Sequence, residues 1–75
     1  MGAPLEGRYA NYFEIGFTAN EVFLDFGQMD PQTEAVLRHT RIILTPVSAK
    51  NLMVMLEDVL SDYETKVAKI TDRES

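Results

Sequence analysis

The chain has 75 residues, a formal net charge of −5 and no cysteine. This length allows one small domain with a thin core, and the missing thiols exclude a disulfide framework and a thiolate metal site. An apolar fraction of 45% excludes a wholly disordered chain, and the acidic balance argues against nucleic acid as a main partner, since phosphate binding needs clustered Lys and Arg.

No apolar run approaches the ~20 residues that are needed to span a bilayer. The N-terminus also lacks the basic-then-apolar pattern of a signal peptide. We therefore expect a cytoplasmic protein without a membrane-spanning segment. Residues 1–75 are predicted to form a single domain, with flexible ends at residues 1–7 and 71–75.

The N-terminal half predicts two β-strands. Residues 8–17 and residues 21–26 both alternate with period two and are rich in aromatic and aliphatic side chains, a pattern typical of strands. The polar break from Thr18 to Asn20 predicts a hairpin between them. One face would carry Tyr9, Phe13, Ile15, Phe17, Val22, Leu24 and Phe26; the other would carry Ala10, Tyr12, Glu14, Gly16, Glu21, Phe23 and Asp25.

Residues 27–33 read GQMDPQT, and the glycine and the Asp-Pro pair predict a turn. Residues 33–37 could form a short helical turn. Residues 38–44, RHTRIIL, are rich in β-branched side chains and predict a third strand. Thr40, Ile42 and Leu44 would face the helix, with His39, Arg41 and Ile43 facing away. The third strand could lie beside either the first or the second.

The segment from Pro46 to Ile70 predicts one long amphipathic helix. Thr45 is a suitable N-cap because its hydroxyl can accept from a free backbone N–H, and proline is favoured at the first helical position. Apolar side chains recur at steps of three and four, as expected for a helix that lies on a core. They are Ala49, Leu52, Leu56, Val59, Tyr63, Val67 and Ile70, widened by Met53 and Leu60.

These elements predict an α+β fold of order β-β-β-α, in which one long C-terminal amphipathic helix covers a small antiparallel three-stranded sheet. A core formed between the two layers should bury apolar side chains from all four elements. The residues expected to be mostly buried are Phe13, Ile15, Val22, Leu24, Ile42, Leu44, Leu52, Leu56 and Val59.

The segments RYANYFEIG, LDFGQ, HTRIILTPVSAKNLMVML and DYE resemble a family of small bacterial and archaeal proteins of unknown function. The resemblance runs from Arg8 to Glu64 and rests on a long ordered pattern rather than on one short motif. It implies a natural domain with the order hairpin, strand, helix. It implies no catalytic or binding residue, because the family has no assigned activity.

The residues themselves predict no catalytic, cofactor-binding or metal-binding site. His39 is the single histidine, and scattered acids around it do not form the nucleophile–base–orienter set of an active site. We instead expect Glu14 and Asp25 to pair across strands with Arg41 and His39. The basic cluster of Arg38, His39 and Arg41 leaves a nucleic-acid-associated regulator as a third hypothesis.

The sequence favours a non-enzymatic protein–protein interaction module that self-associates, with a homodimer as the first choice, and serves as an adaptor or assembly subunit. An apolar patch with a charged rim on the outer sheet face is typical of a contact surface, and the helix stripe continues past the expected sheet. The alternative is a chaperone-like or peptide-binding protein that uses its sheet edge or aromatic face. The predicted interface residues are Tyr12, Phe23, Ile43, Met53, Leu60, Tyr63, Val67 and Ile70.

Overall fold

The computed structural model describes residues 4–71; residues 1–3 and 72–75, part of the predicted flexible ends, lie outside the described residues. Its elements are β1 (Tyr12–Phe17), β2 (Val22–Met29), β3 (Val36–Leu44) and α1 (Pro46–Lys66). The strands form one antiparallel sheet of order β1-β2-β3, so the third strand lies beside the second. The predicted α+β class, a three-stranded antiparallel sheet followed by one C-terminal helix, is confirmed. The sheet unit ends at Thr45, and the helix unit begins at Pro46.

The predicted hairpin between β1 and β2 is confirmed, and Thr18 organises its loop. The Thr18 N–H donates to the Glu21 carbonyl at 2.9 Å, and the Thr18 hydroxyl oxygen accepts from the N–H groups of Asn20 and Glu21, each at 3.2 Å. A threonine side chain that bonds to nearby backbone in this way favours a turn over a continuing strand.

The side chain of Asn11 continues the ladder beyond the start of β1. Its Oδ1 accepts from the Met29 N–H at 2.8 Å, and its Nδ2 donates to the Met29 carbonyl at 3.2 Å. The Asn11 N–H donates to the Gly27 carbonyl at 3.0 Å. The first strand therefore begins at Tyr12 rather than at residue 8, and side-chain bonds replace backbone pairing where it stops.

The predicted helical turn over residues 33–37 is wrong, because Val36 and Leu37 already belong to β3. The loop before them is closed by Asp30, whose Oδ1 accepts from the Gln32 N–H at 2.9 Å and whose N–H donates to the Ala35 carbonyl at 3.0 Å. Glu34 takes a left-handed conformation with φ of 62°. This tight closure lets β2 continue to Met29 and β3 begin at Val36.

Gly27 lies inside β2 and is buried, although its neighbours in sequence predict a turn. The register between β2 and β3 is irregular between Phe26 and Gly27. A Cβ added at Gly27 would lie 2.5 Å from the Leu37 carbonyl oxygen and 3.0 Å from the Arg38 Cα. The glycine is therefore required by the close approach of two backbones, a common reason for glycine within a strand.

The helix α1 begins at Pro46, as predicted, and ends at Lys66 instead of Ile70. The N–H groups of Val67 and Ala68 both donate to the Tyr63 carbonyl, at 2.8 and 3.4 Å, and the Ile70 N–H donates to Glu64 Oε2 at 3.0 Å. These bonds satisfy groups that a helix end leaves free. Val67 and Ile70 thus lie beyond the helix.

Within residues 4–71, no hydrophobic side chain is buried in the single chain. The expectation of a mostly buried core is therefore wrong for one isolated copy. Val22, Leu24 and Leu44 are half-buried, whereas the other residues of the predicted core are exposed, namely Phe13, Ile15, Ile42, Leu52, Leu56 and Val59. Each of the two units taken by itself is one layer of secondary structure, and a single layer cannot bury its own apolar face.

Candidate protein interface

The strand register gathers most of the apolar side chains of the three strands on one side of the sheet, as the alternation predicts. Cross-strand partners on this side include Phe13 with Phe26 and Ile15 with Leu24. The rings of Phe13 and Phe26 meet edge to face, with centroids 5.8 Å apart, a favourable aromatic geometry. We call this surface the apolar sheet face; it comprises Phe13, Ile15, Phe17, Val22, Leu24, Phe26, Thr40, Ile42 and Leu44.

Exposure on the apolar sheet face is greatest along β1. Phe13, Ile15 and Phe17 are 58%, 72% and 81% exposed, compared with 42% for Ile42 in β3. Three large side chains in a row on an edge strand form an apolar surface of the kind that marks contact sites.

The opposite side of the sheet is held together by ion pairs. We call it the ionic sheet face; it comprises Tyr12, Glu14, Phe23, Asp25, Arg38, Arg41 and Ile43. Asp25 at its centre is only 5% exposed. Arg41 donates from Nε and Nη2 to the two Asp25 carboxylate oxygens at 2.6 and 2.8 Å, the two-bond arrangement that guanidinium geometry favours. The same guanidinium lies 5.1 Å from the centre of the Phe23 ring, close enough for a cation–π contact.

A second pair extends this network towards β1. Arg38 donates from Nη1 to Glu14 Oε1 at 2.8 Å, and the same nitrogen lies 3.7 Å from Asp25 Oδ2. The Tyr12 hydroxyl donates to Glu14 Oε2 at 2.9 Å. The predicted pairing of Asp25 with Arg41 is thus present, and each charged group of the ionic sheet face has a partner within the face.

The prediction that His39 joins this charge pairing is wrong. The register shift places Arg38 opposite Gly27 and Thr40 opposite Phe26, so His39 is the extra residue between them. Its Nδ1 lies 2.7 Å from Thr40 Oγ1 and its Nε2 lies 3.0 Å from the Tyr9 carbonyl oxygen. Arg38 takes the predicted role instead, because the extra residue places Arg38, which precedes it in β3, on the same face as Arg41.

Hydrogen bonding shifts the pKa values of Asp25 and Tyr12 on the ionic sheet face. The bonds from Arg41 hold the pKa of Asp25 below its ordinary value, although burial acts in the opposite direction. The hydrogen bond to Glu14 raises the pKa of Tyr12. Both shifts favour the protonation states present at neutral pH, which are the states that form this network.

The predicted interface residues fall on both units. On the ionic sheet face, Phe23 and Ile43 are cross-strand partners; Phe23 and Tyr12 are half-buried. In α1, Met53, Leu60 and Tyr63 are exposed, and so are Val67 and Ile70 beyond its end. Their part in an interface stays a prediction.

The apolar residues on one side of α1 recur at steps of three and four. We call them the helix stripe; it comprises Ala49, Leu52, Met53, Leu56, Val59, Leu60 and Tyr63.

We expect Asp25 to make stability depend on acid pH. A carboxyl group whose pKa is lower in the folded than in the unfolded protein stabilises the fold when it is ionised. This stabilisation is complete above the unfolded pKa of about 3.9, and it is lost as the pH falls through the folded pKa. In urea unfolding at pH 7, Asp25→Asn should therefore be clearly less stable than the wild type. That difference should shrink progressively below about pH 4. A difference that stays constant down to pH 2 would contradict the assigned role of the Asp25–Arg41 pair.

A family model described as "Protein of unknown function (DUF3467)" matches residues 3–72 of the chain. No curated protein and no solved structure matches it. Among residues 4–71, no helix combines the length and the apolar character that are needed to cross a membrane.

Proposed function

The chain belongs to the DUF3467 family, whose function is unknown, and we propose that it is a non-enzymatic interaction module that self-associates, with a homodimer as the first choice. In this role it serves as an adaptor or as a subunit of a larger assembly. The observation that carries the proposal is the exposure of its apolar side chains: within residues 4–71 no hydrophobic side chain is buried.

The apolar sheet face supports this proposal because of its size and composition. Eight of its nine members are Phe, Ile, Leu or Val, and they lie on three adjacent strands. Antiparallel sheets commonly expose one polar face and pack the other on a core. Each buried aliphatic or aromatic side chain contributes about 1.5–3 kcal/mol, so a second copy that covers this face gains a large driving force.

The helix stripe supports the same conclusion independently. None of the residues of α1 is buried, although they include Leu52, Leu56 and Leu60. A helix gains most of its stability in a protein from packing of its apolar face. Both the helix stripe and the apolar sheet face are therefore surfaces that association with a second copy can bury.

The ionic sheet face supports a structural rather than a chemical role for its charged residues. Both Asp25 oxygens accept from Arg41, and Glu14 is bonded to Arg38 and Tyr12. A carboxylate whose lone pairs are occupied in this way is poorly placed to act as a general base. We accordingly propose no catalytic residue, cofactor or metal. Separately, we propose a cytoplasmic location, and the net charge of −5 argues against nucleic acid as a main partner.

Sedimentation equilibrium tests the proposal. Between about 1 and 200 µM, a range that brackets micromolar dimer dissociation constants, the wild type should approach twice the monomer mass of 8.5 kDa. Leu56→Glu should weaken association at least tenfold, since it places a charge in the helix stripe. Ser61→Glu, on the opposite face of α1, is the matched control and should associate like the wild type. A folded wild type that stays monomeric throughout this range would contradict the proposal.

A second candidate function is capture of extended peptides. The two edge strands favour this function. Among the described strands, β1 and β3 each pair only with β2, so each leaves one edge without a strand partner. An exposed edge of this kind can accept a further strand through backbone hydrogen bonds. A wild type that is monomeric, folded and able to bind unstructured peptides with micromolar affinity would favour this alternative over self-association.

A further inference from the structure

We propose that two copies pair through their β1 edges, antiparallel and about a two-fold axis at Ile15, so that the two three-stranded sheets become one continuous sheet. This inference rests on the proposed self-association and names the surface that carries it. The occupant of the edge is β1 of a second copy, and three features of the strand point to it: its backbone, its side chains and its charge.

The backbone groups on the outer edge of β1 belong to the three apolar positions. In an antiparallel ladder, residues alternate between hydrogen-bonded and non-hydrogen-bonded pairs. Thr18 bonds to Glu21 at the hairpin end, so the same alternation makes Gly16 and Glu14 bond to β2. Phe13, Ile15 and Phe17 then direct their N–H and C=O groups away from β2, where another strand can bind them.

In this register, each side chain of β1 lies opposite a compatible side chain of β1 in the second copy. With Ile15 opposite Ile15 of the second copy, Phe13 lies opposite Phe17 on the apolar sheet face. Aromatic and β-branched cross-strand pairs of this kind stabilise a sheet. On the other face Glu14 lies opposite Gly16, so no like charges oppose each other. The pairing also brings the three apolar side chains that the sheet exposes most, at 58%, 72% and 81%, into lateral contact with those of the second copy.

The β3 edge is a poorer choice for self-pairing. A two-fold axis at Arg38 or at Arg41 places two arginines directly opposite each other. Like charges in directly opposed positions destabilise a strand pair. The register of β3 is also interrupted by the irregularity opposite Phe26 and Gly27, and such bulges are one way in which proteins protect an edge.

Single-cysteine crosslinking tests the axis, because the chain has no cysteine of its own. Opposed residues of a hydrogen-bonded antiparallel pair have Cα atoms about 5.5 Å apart, inside the range that a disulfide bridges. With oxidised glutathione, Ile15→Cys should form a covalent dimer at least tenfold faster than Ile42→Cys. The latter cysteine lies on the same face but on the β3 edge, which makes it the matched control.

Ile15→Pro provides a second test. The proline removes an N–H that points away from β2 and is therefore tolerated on an edge strand, but it cannot pair across the axis. The variant should stay folded, and its association should be at least tenfold weaker in sedimentation.

Two results would contradict pairing through the β1 edge while leaving the proposed function intact. In the first, the wild type is dimeric but Ile15→Cys does not crosslink faster than Ile42→Cys. In the second, a folded Ile15→Pro still associates normally. A monomeric wild type contradicts both the pairing and the proposed function. Should Ile15→Pro fail to fold, the crosslinking rates decide.

Discussion

Gly27→Ala should lower the free energy of unfolding by about 3 kcal/mol, the upper end of the range for overpacked sites. The added methyl group would lie 2.5 Å from the Leu37 carbonyl oxygen and 3.0 Å from the Arg38 Cα. Both contacts are with backbone atoms of β3, so a change of side-chain rotamer cannot relieve them. The strands must separate locally, and this weakens the β2–β3 pairing that also positions Arg38 and Arg41.

Gly7→Ala is the matched control for this prediction. No atom lies within 4 Å of a Cβ built at Gly7, and a substitution at such a surface position changes stability by about 0.5 kcal/mol or less. Urea unfolding followed by circular dichroism measures both variants at one protein concentration. Equal stabilities of the two variants would show that β2 and β3 do not approach closely at Gly27.

The order and type of the elements follow from local patterns in the sequence. Period-two alternation identifies β1 and β2, and the polar loop that begins at Thr18 identifies the hairpin between them. The helix begins at the predicted proline. Alternation also places Asp25 and Arg41 on one face of the sheet, where they form the ion pair. These features depend on neighbours in the chain, which explains why sequence alone predicts them.

The differences between prediction and structure arise where distant segments meet. Glycine is common in turns, but Gly27 lies within a strand. It is required there because the backbone of β3 leaves no room for a Cβ atom. The irregular register beside it exchanges the roles of His39 and Arg38, and alternation cannot reveal a bulge. The apolar spacing of the helix stripe continues in the sequence at Val67 and Ile70, yet the helix ends at Lys66, where local bonds to Tyr63 and Glu64 follow.

The order of the strands and the burial of the core also lie beyond sequence patterns. Both β1-β2-β3 and β2-β1-β3 satisfy the same alternation, and only the pairing of β2 with β3 distinguishes them. The sequence shows that an apolar side chain such as Ile15 favours burial, but it does not identify the surface that packs against it. In the single chain Ile15 is 72% exposed, and we therefore propose that a second copy buries it.

Self-association of this kind should couple to folding. If the apolar sheet face and the helix stripe are covered only in the dimer, the separated copies lose much of the burial that opposes chain entropy. Folding then follows mass action, and the stability of the dimer rises by about 1.4 kcal/mol for each tenfold increase in protein concentration. A protein that folds as an independent monomer has no such dependence.

Urea unfolding of the wild type at about 2 and 200 µM chain tests this coupling most directly, because the two concentrations differ by a factor that corresponds to about 2.7 kcal/mol of dimer stability. We expect a clearly higher urea midpoint at the higher concentration, together with a dimer mass in sedimentation before urea is added. Identical midpoints at both concentrations, from a folded chain of monomer mass, would contradict this coupling.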